Sequence, residues 1–446
     1  MNSFDAQDYL GTFTNFESRL SNLNPQSFNL DRVRRLFRVL GDPQKQLTFI
    51  HVAGTKGKGS TCAFTAYILR AAGYRVGLYT SPHLYRVQER IRVLEAKASP
   101  SELKEDFYGA IRDKELDVLV EKFRKAIDKI RNDAKLGNLT YFEVLTGLAL
   151  VYFAQRNTDI VILETGLGGR LDATNVVDAL VNGITPISLD HTAQLGTTLE
   201  KIAGEKAAII KNSQSKVVVG LQPVQAMKVI RGQCRTLGIK PWIIGKDIRC
   251  QMSGKTFSTL TPNGECKKLS ASLAGEHQVH NAAMAVGMVE LSGFKITAKA
   301  VAQGLRETRW PGRFEMIDKD PAVIVDCAHN PASAEVVMQS LRRSVSKKKV
   351  ILVLGLSNDK DIRGICQILG KNARLIVTTQ SRHPRAYLFS HQELKSLFKD
   401  KPAFNVQSIA EALTIARREA ARNEVILITG SVFIAAEARA FLKRMT

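Results

Sequence analysis

The stretch LTFIHVAGTKGKGSTCAFTAYILRAAG, residues 47–73, decides how the rest of the chain is organised. Its β-rich apolar start, Leu47 to Ala53, predicts a strand, and the apolar periodicity after Lys58 predicts a helix ending at Gly73. Between them Gly54, Gly57 and Gly59 surround Lys58. Strand, glycine loop and helix in that order form a phosphate cradle. The glycines let backbone N–H groups turn inward, the helix N-terminus adds the positive end of its dipole, and Lys58 bridges the outer phosphates of a nucleotide. Thr55 belongs to the same loop, and Ser60 or Thr61 offers a hydroxyl for magnesium. The spacing departs from GxxxxGK[ST], because Val52 occupies the first glycine position and Gly59 separates Lys58 from Ser60. A glycine-rich turn that merely joins a strand to a helix is the competing account.

Working outward, Arg75 to Tyr79 reads as a second strand, which makes a βαβ unit and a parallel sheet. Ligands of open parallel sheets gather at the carboxyl ends of the strands, so Ser81, just past this one, is placed to face the nucleotide. A charged stretch, Tyr85 to Arg92, follows. Upstream, residues 1–45 read as two amphipathic helices around Asn22-Leu23-Asn24-Pro25. Downstream, Asp117 to Ala134 and Thr140 to Gln155 carry helical spacing, the second apolar enough to be buried. Asp159 to Leu163 is a strand running into Glu164, an acid that costs desolvation there unless it meets a cation or donors. Gly166, Gly168 and Gly169 loosen the backbone ahead of Arg170-Leu171-Asp172-Ala173-Thr174-Asn175. Val181 to Leu189 reads as a further strand running into Asp190-His191, and Leu199 to Lys211 as a helix carrying Glu205 and Lys206. Taken singly, Ser81, Glu164 and His191 are ordinary polar residues at strand ends. Together, beside a phosphate loop, their oxygen, carboxylate and imidazole suit magnesium, with water and phosphate completing its shell.

From Gly245 to Leu273 the pattern shifts to short antiparallel strands with turns such as Pro262-Asn263-Gly264. Gly275 to Leu291 returns to helix and carries His277, His280 and Asn281. A second α/β unit follows Trp310-Pro311-Gly312-Arg313, with strands expected at 322–325, 350–354, 375–378 and 425–428. The expected fold class is α/β: a P-loop-containing parallel-sheet ATPase domain over 1–305 and a second, smaller Rossmann-like α/β domain over 306–446.

At 446 residues, 44% hydrophobic and 24% charged, the chain has the composition of a globular protein of two or three domains. No apolar run approaches the roughly 20 residues of a membrane span, and the start MNSFDAQDYL lacks the layout of a secretory signal. A cytoplasmic protein with no membrane partner is expected. The six cysteines contain no CxxC pair, which argues against a disulfide framework or a zinc site. The net charge of +22 attracts nucleotides, polyanions or multiply carboxylated substrates. It is spread along the chain, +10 in residues 301–446 and +12 before them. The basic runs, Arg34-Arg35, Arg342-Arg343 and Lys347-Lys348-Lys349, are short and lack interleaved aromatics, so no nucleic-acid partner is expected.

Nine pieces in order carry a resemblance: HVAGTKGKGST (51–61), TSPHLYRVQERIRV (80–93), TYFEVLT (140–146), ETGLGGRLDATN (164–175), DHTAQLGTTLEKIAGEKAAIIK (190–211), GEHQVHNA (275–282), WPGRFE (310–315), DCAHNP (326–331) and ITGSVF (428–433). They resemble the folylpolyglutamate synthase and dihydrofolate synthase family of the Mur ligase superfamily, over nearly the whole chain. The resemblance implies an ATP-dependent ligase. The γ-phosphate passes to a substrate carboxylate, and the amino group of L-glutamate then attacks the acyl phosphate. It implies that Gly57, Lys58, Ser60 and Thr61 bind the ATP phosphates, and that Ser81, Glu164 and His191 hold magnesium. Lys206 matches a lysine carbamylated in many members, a change that turns a cation into an anion able to join a magnesium site. An ordinary helix lysine paired with Glu205 or a phosphate is the plainer alternative.

By the same resemblance Asn281 contacts adenine, Arg313 and Asp326 meet the γ-phosphate and ribose, and His329 lies in the same loop as Asp326. The nucleotide is then expected between two domains that close for reaction. Two departures from the family pattern are Lys56, where many relatives carry asparagine, and Cys327, where glycine is usual. The loop around Asp172 looks more like that of the bifunctional bacterial enzymes, which also add the first glutamate to dihydropteroate. Asp172 is then expected to contact the pterin, with Tyr141 or Phe142 nearby. The expected partners are ATP, L-glutamate, and folate or dihydropteroate, and the chain is expected to act as a monomer. Three alternatives stand beside this expectation: a folylpolyglutamate synthase only, a Mur-type ligase of cell-wall precursors, and a nucleic-acid-associated P-loop ATPase.

Overall fold

Parallel strands built from aliphatic runs need cover on both faces, and the helices between them supply it. The computed structural model describes residues 4–17, 28–133, 135–345, 349–399 and 401–444. The loop expected at Asn22–Pro25, and Lys347 and Lys348 of the basic run, lie outside the described residues. The chain forms two compact units, one of Met1–Ser272 with Gln278–Arg309, the other of Leu273–His277 with Trp310–Thr446.

The first unit is built on seven strands: β1 (Phe49–Ala53), β2 (Val76–Tyr79), β3 (Ile91–Leu94), β4 (Ile160–Glu164), β5 (Val181–Ile184), β6 (Lys216–Val219) and β7 (Trp242–Ile243). Their order across the sheet is β3-β2-β4-β1-β5-β6-β7. Every pairing is parallel except that of the edge strand β3 with β2. β1 sits between β4 and β5, with Val52 opposite both Glu164 and Gly183. The Lys58–Ala71 and Tyr141–Gln155 helices are buried along most of their length. Phe153 of the latter lies where a side chain on Gly77 of β2 would otherwise stand. The Ala298–Glu307 helix packs on Lys58–Ala71 at Gly304, where a Cβ would fall 2.5 Å from the Ile68 Cα. A separate antiparallel sheet comprises β8 (Arg249–Ser253), β9 (Thr256–Thr261) and β10 (Gly264–Leu269), as the change of pattern there predicts.

The second unit carries β11 (Glu315–Lys319), β12 (Ala322–Val325), β13 (Val350–Leu354), β14 (Ala373–Thr378), β15 (Ala403–Asn405) and β16 (Val425–Thr429). Their order is β11-β12-β16-β13-β14-β15, with only β11 antiparallel to its neighbour. Ile324, Leu352, Leu354 and Leu427 form part of a core with the Pro331–Ser344 and Ile362–Gly370 helices. The parallel-sheet α/β class expected from the sequence is the class observed.

Three local expectations need correction. β5 stops at Ile184 instead of running to Leu189, because Pro186 has no N–H to give to a ladder. His191 therefore does not follow a strand directly; it caps the short Thr192–Leu195 helix with φ +48°. The charged stretch Tyr85 to Arg92 overlaps strand β3, and Arg90 and Arg92 are buried. The helix expected over 117–134 spans Asp113–Asp128. Among the described residues no helix is long and apolar enough to cross a membrane.

Candidate active site

β1 ends at Ala53, and the chain turns at Gly54, where φ is +151°. A Cβ on Gly54 would stand 1.8 Å from the Thr185 Oγ1, so only glycine lets the loop cross the end of β5 this closely. The Thr55 and Lys56 N–H groups both donate to the Pro186 carbonyl at 3.1 Å, and the Thr55 hydroxyl donates to the Ser188 carbonyl at 3.2 Å. These bonds tie the loop to the chain that follows β5. Gly57, with φ +81°, begins the Lys58–Ala71 helix. A Cβ on it would lie 2.6 Å from the Asn281 Oδ1, so the buried Asn281 side chain rests directly on the loop. Asn281 is held by donating to the Gln278 Oε1 at 3.0 Å. The first turn of a helix presents N–H groups without intrahelical acceptors, together with the positive end of its dipole. The Thr61 hydroxyl is buried there without a partner, the kind of atom that a bound phosphate satisfies.

The Lys58 Nζ lies 3.9 Å from the Glu164 Oε1, and the Ser81 N–H donates to the Glu164 Oε2 at 3.2 Å. β4 borders both β2 and β1, so sheet order places Ser81, Glu164 and the glycine loop at three adjacent strand ends. A carboxylate only 4% exposed answers its desolvation through this lysine and this amide. His191 stands beside Asp190, its Nε2 3.9 Å from the Asp190 Oδ1, which also accepts the His191 N–H at 3.0 Å. Among the described residues no group of three or more His, Cys, Asp or Glu is arranged to hold a metal ion. The oxygen donors present, a serine and a buried carboxylate beside a phosphate cradle, fit a hard divalent cation with water in its shell.

Lys206, on the Leu199–Ala207 helix, is buried. Burial first, and the Lys58 charge second, push its ammonium down to about 7, against the pull of Asp190, Asp172 and Glu205. Asp172 caps the short turn Ala173–Val176 and accepts from the Thr174 N–H at 3.0 Å, the Leu167 N–H at 2.9 Å and the Thr174 hydroxyl. Burial raises its pKa and these donors oppose the rise. The Thr174 hydroxyl is also 2.8 Å from the His51 Nε2. Because Thr174 gives its own proton to Asp172, it accepts from His51, which fixes the ring proton on Nε2. Burial, helped by the Lys211 charge, holds His51 down at about 3, so the ring is neutral. Phe142 packs on Gly166, where a Cβ would lie 2.7 Å from its ring. Tyr141 lies under the Arg90 guanidinium, 5.7 Å from charge to ring centre, and Arg90 also donates to the His83 Nδ1 at 2.9 Å and to Glu17.

Matches to known families agree with this geometry. Residues 312–432 match the Mur ligase, glutamate ligase domain, and residues 118–289 match the Mur ligase middle domain. A dihydrofolate synthase/folylpolyglutamate synthase of Bacillus subtilis (strain 168) is 33% identical over 428 residues, covering 93% of this chain and 95% of that protein. This chain belongs to the dihydrofolate synthase/folylpolyglutamate synthase family. Its members are ATP-dependent ligases of the Mur ligase superfamily. A Mycobacterium tuberculosis folylpolyglutamate synthase solved with ADP superposes with a TM-score of 0.84 at 29% identity, covering 98% of this chain and 97% of that one. An Escherichia coli FolC structure in complex with DHPP and ADP gives 0.83 at 31% identity, covering 99% and 98%.

In this member of the family the second unit carries Asp326 past the end of β12. Its carboxylate accepts from the Phe314 and Ala328 N–H groups at 2.8 and 2.7 Å, and burial raises its pKa against the nearby Arg313 charge. The His329 Nδ1 bonds the Cys327 carbonyl at 2.9 Å. A second set of polar groups escaped the sequence. Asp359 joins the Lys360 Nζ at 3.2 Å and the Arg385 Nη1 at 3.3 Å, while His383 stacks on Phe433 with ring centres 3.7 Å apart. These residues follow β13, β14 and β16, adjacent strands, and the carboxyl ends of those strands were the signal that could have found them. His51, Arg90 and His83 also escaped, since Thr174, the partner of His51, and Glu17, the partner of Arg90, are remote in sequence, and the stretch Tyr85 to Arg92 showed only its charge.

Proposed function

We propose that this chain uses ATP to join L-glutamate to the carboxyl group of dihydropteroate and of reduced folates, extending the latter as polyglutamates. The observation that carries the ATP chemistry is the Lys58–Glu164–Ser81 constellation at the mouth of the glycine loop. A carboxylate is a poor electrophile until one of its oxygens is phosphorylated. The substrate carboxylate attacks the γ-phosphorus, ADP leaves, the glutamate amine then attacks the acyl carbon, and inorganic phosphate leaves as the amine loses a proton. Lys58 and the N–H groups of residues 57–61 hold the phosphates, with Gly54, Thr55 and Gly59 shaping the loop and Asn281 lying toward the base. Magnesium, held through Ser81, Glu164 and His191, would neutralise charge on the transferring phosphoryl group. A Lys206 with a pKa of about 7 has a substantial fraction of neutral amine at physiological pH, the form that takes up carbon dioxide as a carbamate. Arg313, Asp326 and His329 are proposed to act on the nucleotide and the acyl phosphate.

For the pterin we propose Asp172 with Tyr141 and Phe142. The combined activities in the name of the Bacillus subtilis relative, and the DHPP with ADP in the Escherichia coli structure, support two acceptors. We further propose a cytoplasmic monomer. A product assay with MgATP, L-glutamate and either dihydropteroate or a reduced folate, read by mass, is expected to give glutamate addition to both. Growth of the folate tail with no dihydropteroate product would leave a polyglutamate synthase. Lys58→Ala and Glu164→Ala are each expected to abolish ADP formation, and near-normal turnover in either would mean that the phosphate site lies elsewhere.

A further inference from the structure

The helix that starts at the phosphate loop ends in a second basic place. Arg70, in the last turn of Lys58–Ala71, is buried and donates to Glu307, and Glu307 also accepts from Gln303 at 3.0 Å. The Arg70 Nε is buried without a partner. Arg70 forms one wall of a cavity of about 690 Å³, whose rim carries Lys97, Lys104, Arg306 and Arg309. All four rim residues are exposed, and among the described residues none of them is in an ion pair. Five cations thus line one cavity with Glu307 as the only acid among the lining residues. A cluster of this kind costs self-repulsion, and a local excess of one sign raises the concentration of ions of the other. The cavity volume is in the range of small-ligand sites, on the order of 300–1,000 Å³. At 1.5 Å per residue, the helix separates it from the phosphate loop by on the order of 20 Å.

We propose that this cavity binds a small polyanion, of oligocarboxylate or polyphosphate chemistry, at a site separate from the phosphate loop. Arg70, pinned by Glu307, is the fixed floor, and the four rim cations close on the anion from the sides. Arg309 is the last residue of the first unit, so an occupied cavity holds the segment that enters the second. Nothing in this proposal depends on which carboxylate the enzyme activates.

Calorimetric titration of the full chain, saturated with ADP to fill the phosphate loop, decides it. The probes are γ-linked tetraglutamate and tripolyphosphate, in separate arms at low salt. One site is expected for at least one probe, and the probe bound more tightly identifies the source of the anion. Lys97→Glu/Arg306→Glu reverses two exposed charges and is expected to weaken that binding at least tenfold without altering the melting temperature appreciably. Lys97→Ala/Arg306→Ala is expected to give a smaller loss in the same direction. Absence of binding by both probes, or binding that survives the double charge reversal unchanged, would overturn the proposal.

Discussion

Burial brings the Lys206 ammonium from 10.5 down to about 7 and so makes this side chain sensitive to pH near neutrality. The unfolded chain takes up this proton below 10.5, whereas the folded chain takes it up only below about 7. Between those limits the unfolded state binds more protons, so stability rises with pH across the window and the cost is fully present below it. Lys206→Met is expected to flatten the rise in urea midpoint between pH 7 and pH 10 in carbon dioxide-free buffer; an unchanged slope would place the origin in other groups. Turnover is expected to drop in the same buffer and to recover with bicarbonate, checked by the carbonyl signal of ¹³C-bicarbonate on the protein. Glu164 and Ser81 could be picked out from the sequence because each stands at a strand-end signal, whereas Lys206, inside a helix, stood out only by the family resemblance of the stretch around it. His51 could not, because the Thr174 hydroxyl that fixes its tautomer is 123 positions away.

Helices and strands meet here through glycines that leave no room. Gly304→Ala would drive a methyl group into the backbone of the Lys58–Ala71 helix at Ile68. Overpacking of this kind costs about 1–3 kcal/mol, so the urea midpoint is expected to fall while the unfolding slope is retained. Gly54→Ala meets Thr185 and also needs an unfavourable φ, and ADP affinity is expected to fall at least tenfold. Wild-type affinity in that variant would show that the loop does not need this crossing. The strand–loop–helix unit was legible because its periods change at the glycines. β3 was not, since Arg90 and Arg92 interrupt the apolar run that marks a strand and leave only a charged stretch. Both are buried, Arg90 on Glu17 and His83, Arg92 on the Tyr108 carbonyl and the Tyr67 hydroxyl. Long-range partners, absent from any local window, turn a polar pattern into an interior one. The end of β5 was misplaced for the opposite reason, because a single Pro186 outweighs the apolar run around it.

Across the whole molecule a net charge of +22 opposes compaction. Raising ionic strength from about 0.01 to 0.15 M shortens the screening length from roughly 30 to 8 Å, so the melting temperature is expected to rise with sodium chloride. A fall would mean that favourable ion pairs outweigh the repulsion. The sheet order of the first unit has a further effect. Ser81, Glu164 and the glycine loop stand at neighbouring strand ends, and hydrogen-bonded strands keep a pitch of about 4.8 Å. The spacing of the chemical groups is therefore ruled by the main chain, not by the side chains that happen to pack around it. The 82 residues between Ser81 and Glu164 can lengthen or shorten in their helices and loops without moving either group. A single residue added within β2 or β4 would shift the ruler by one mark and turn the graduation to the opposite face.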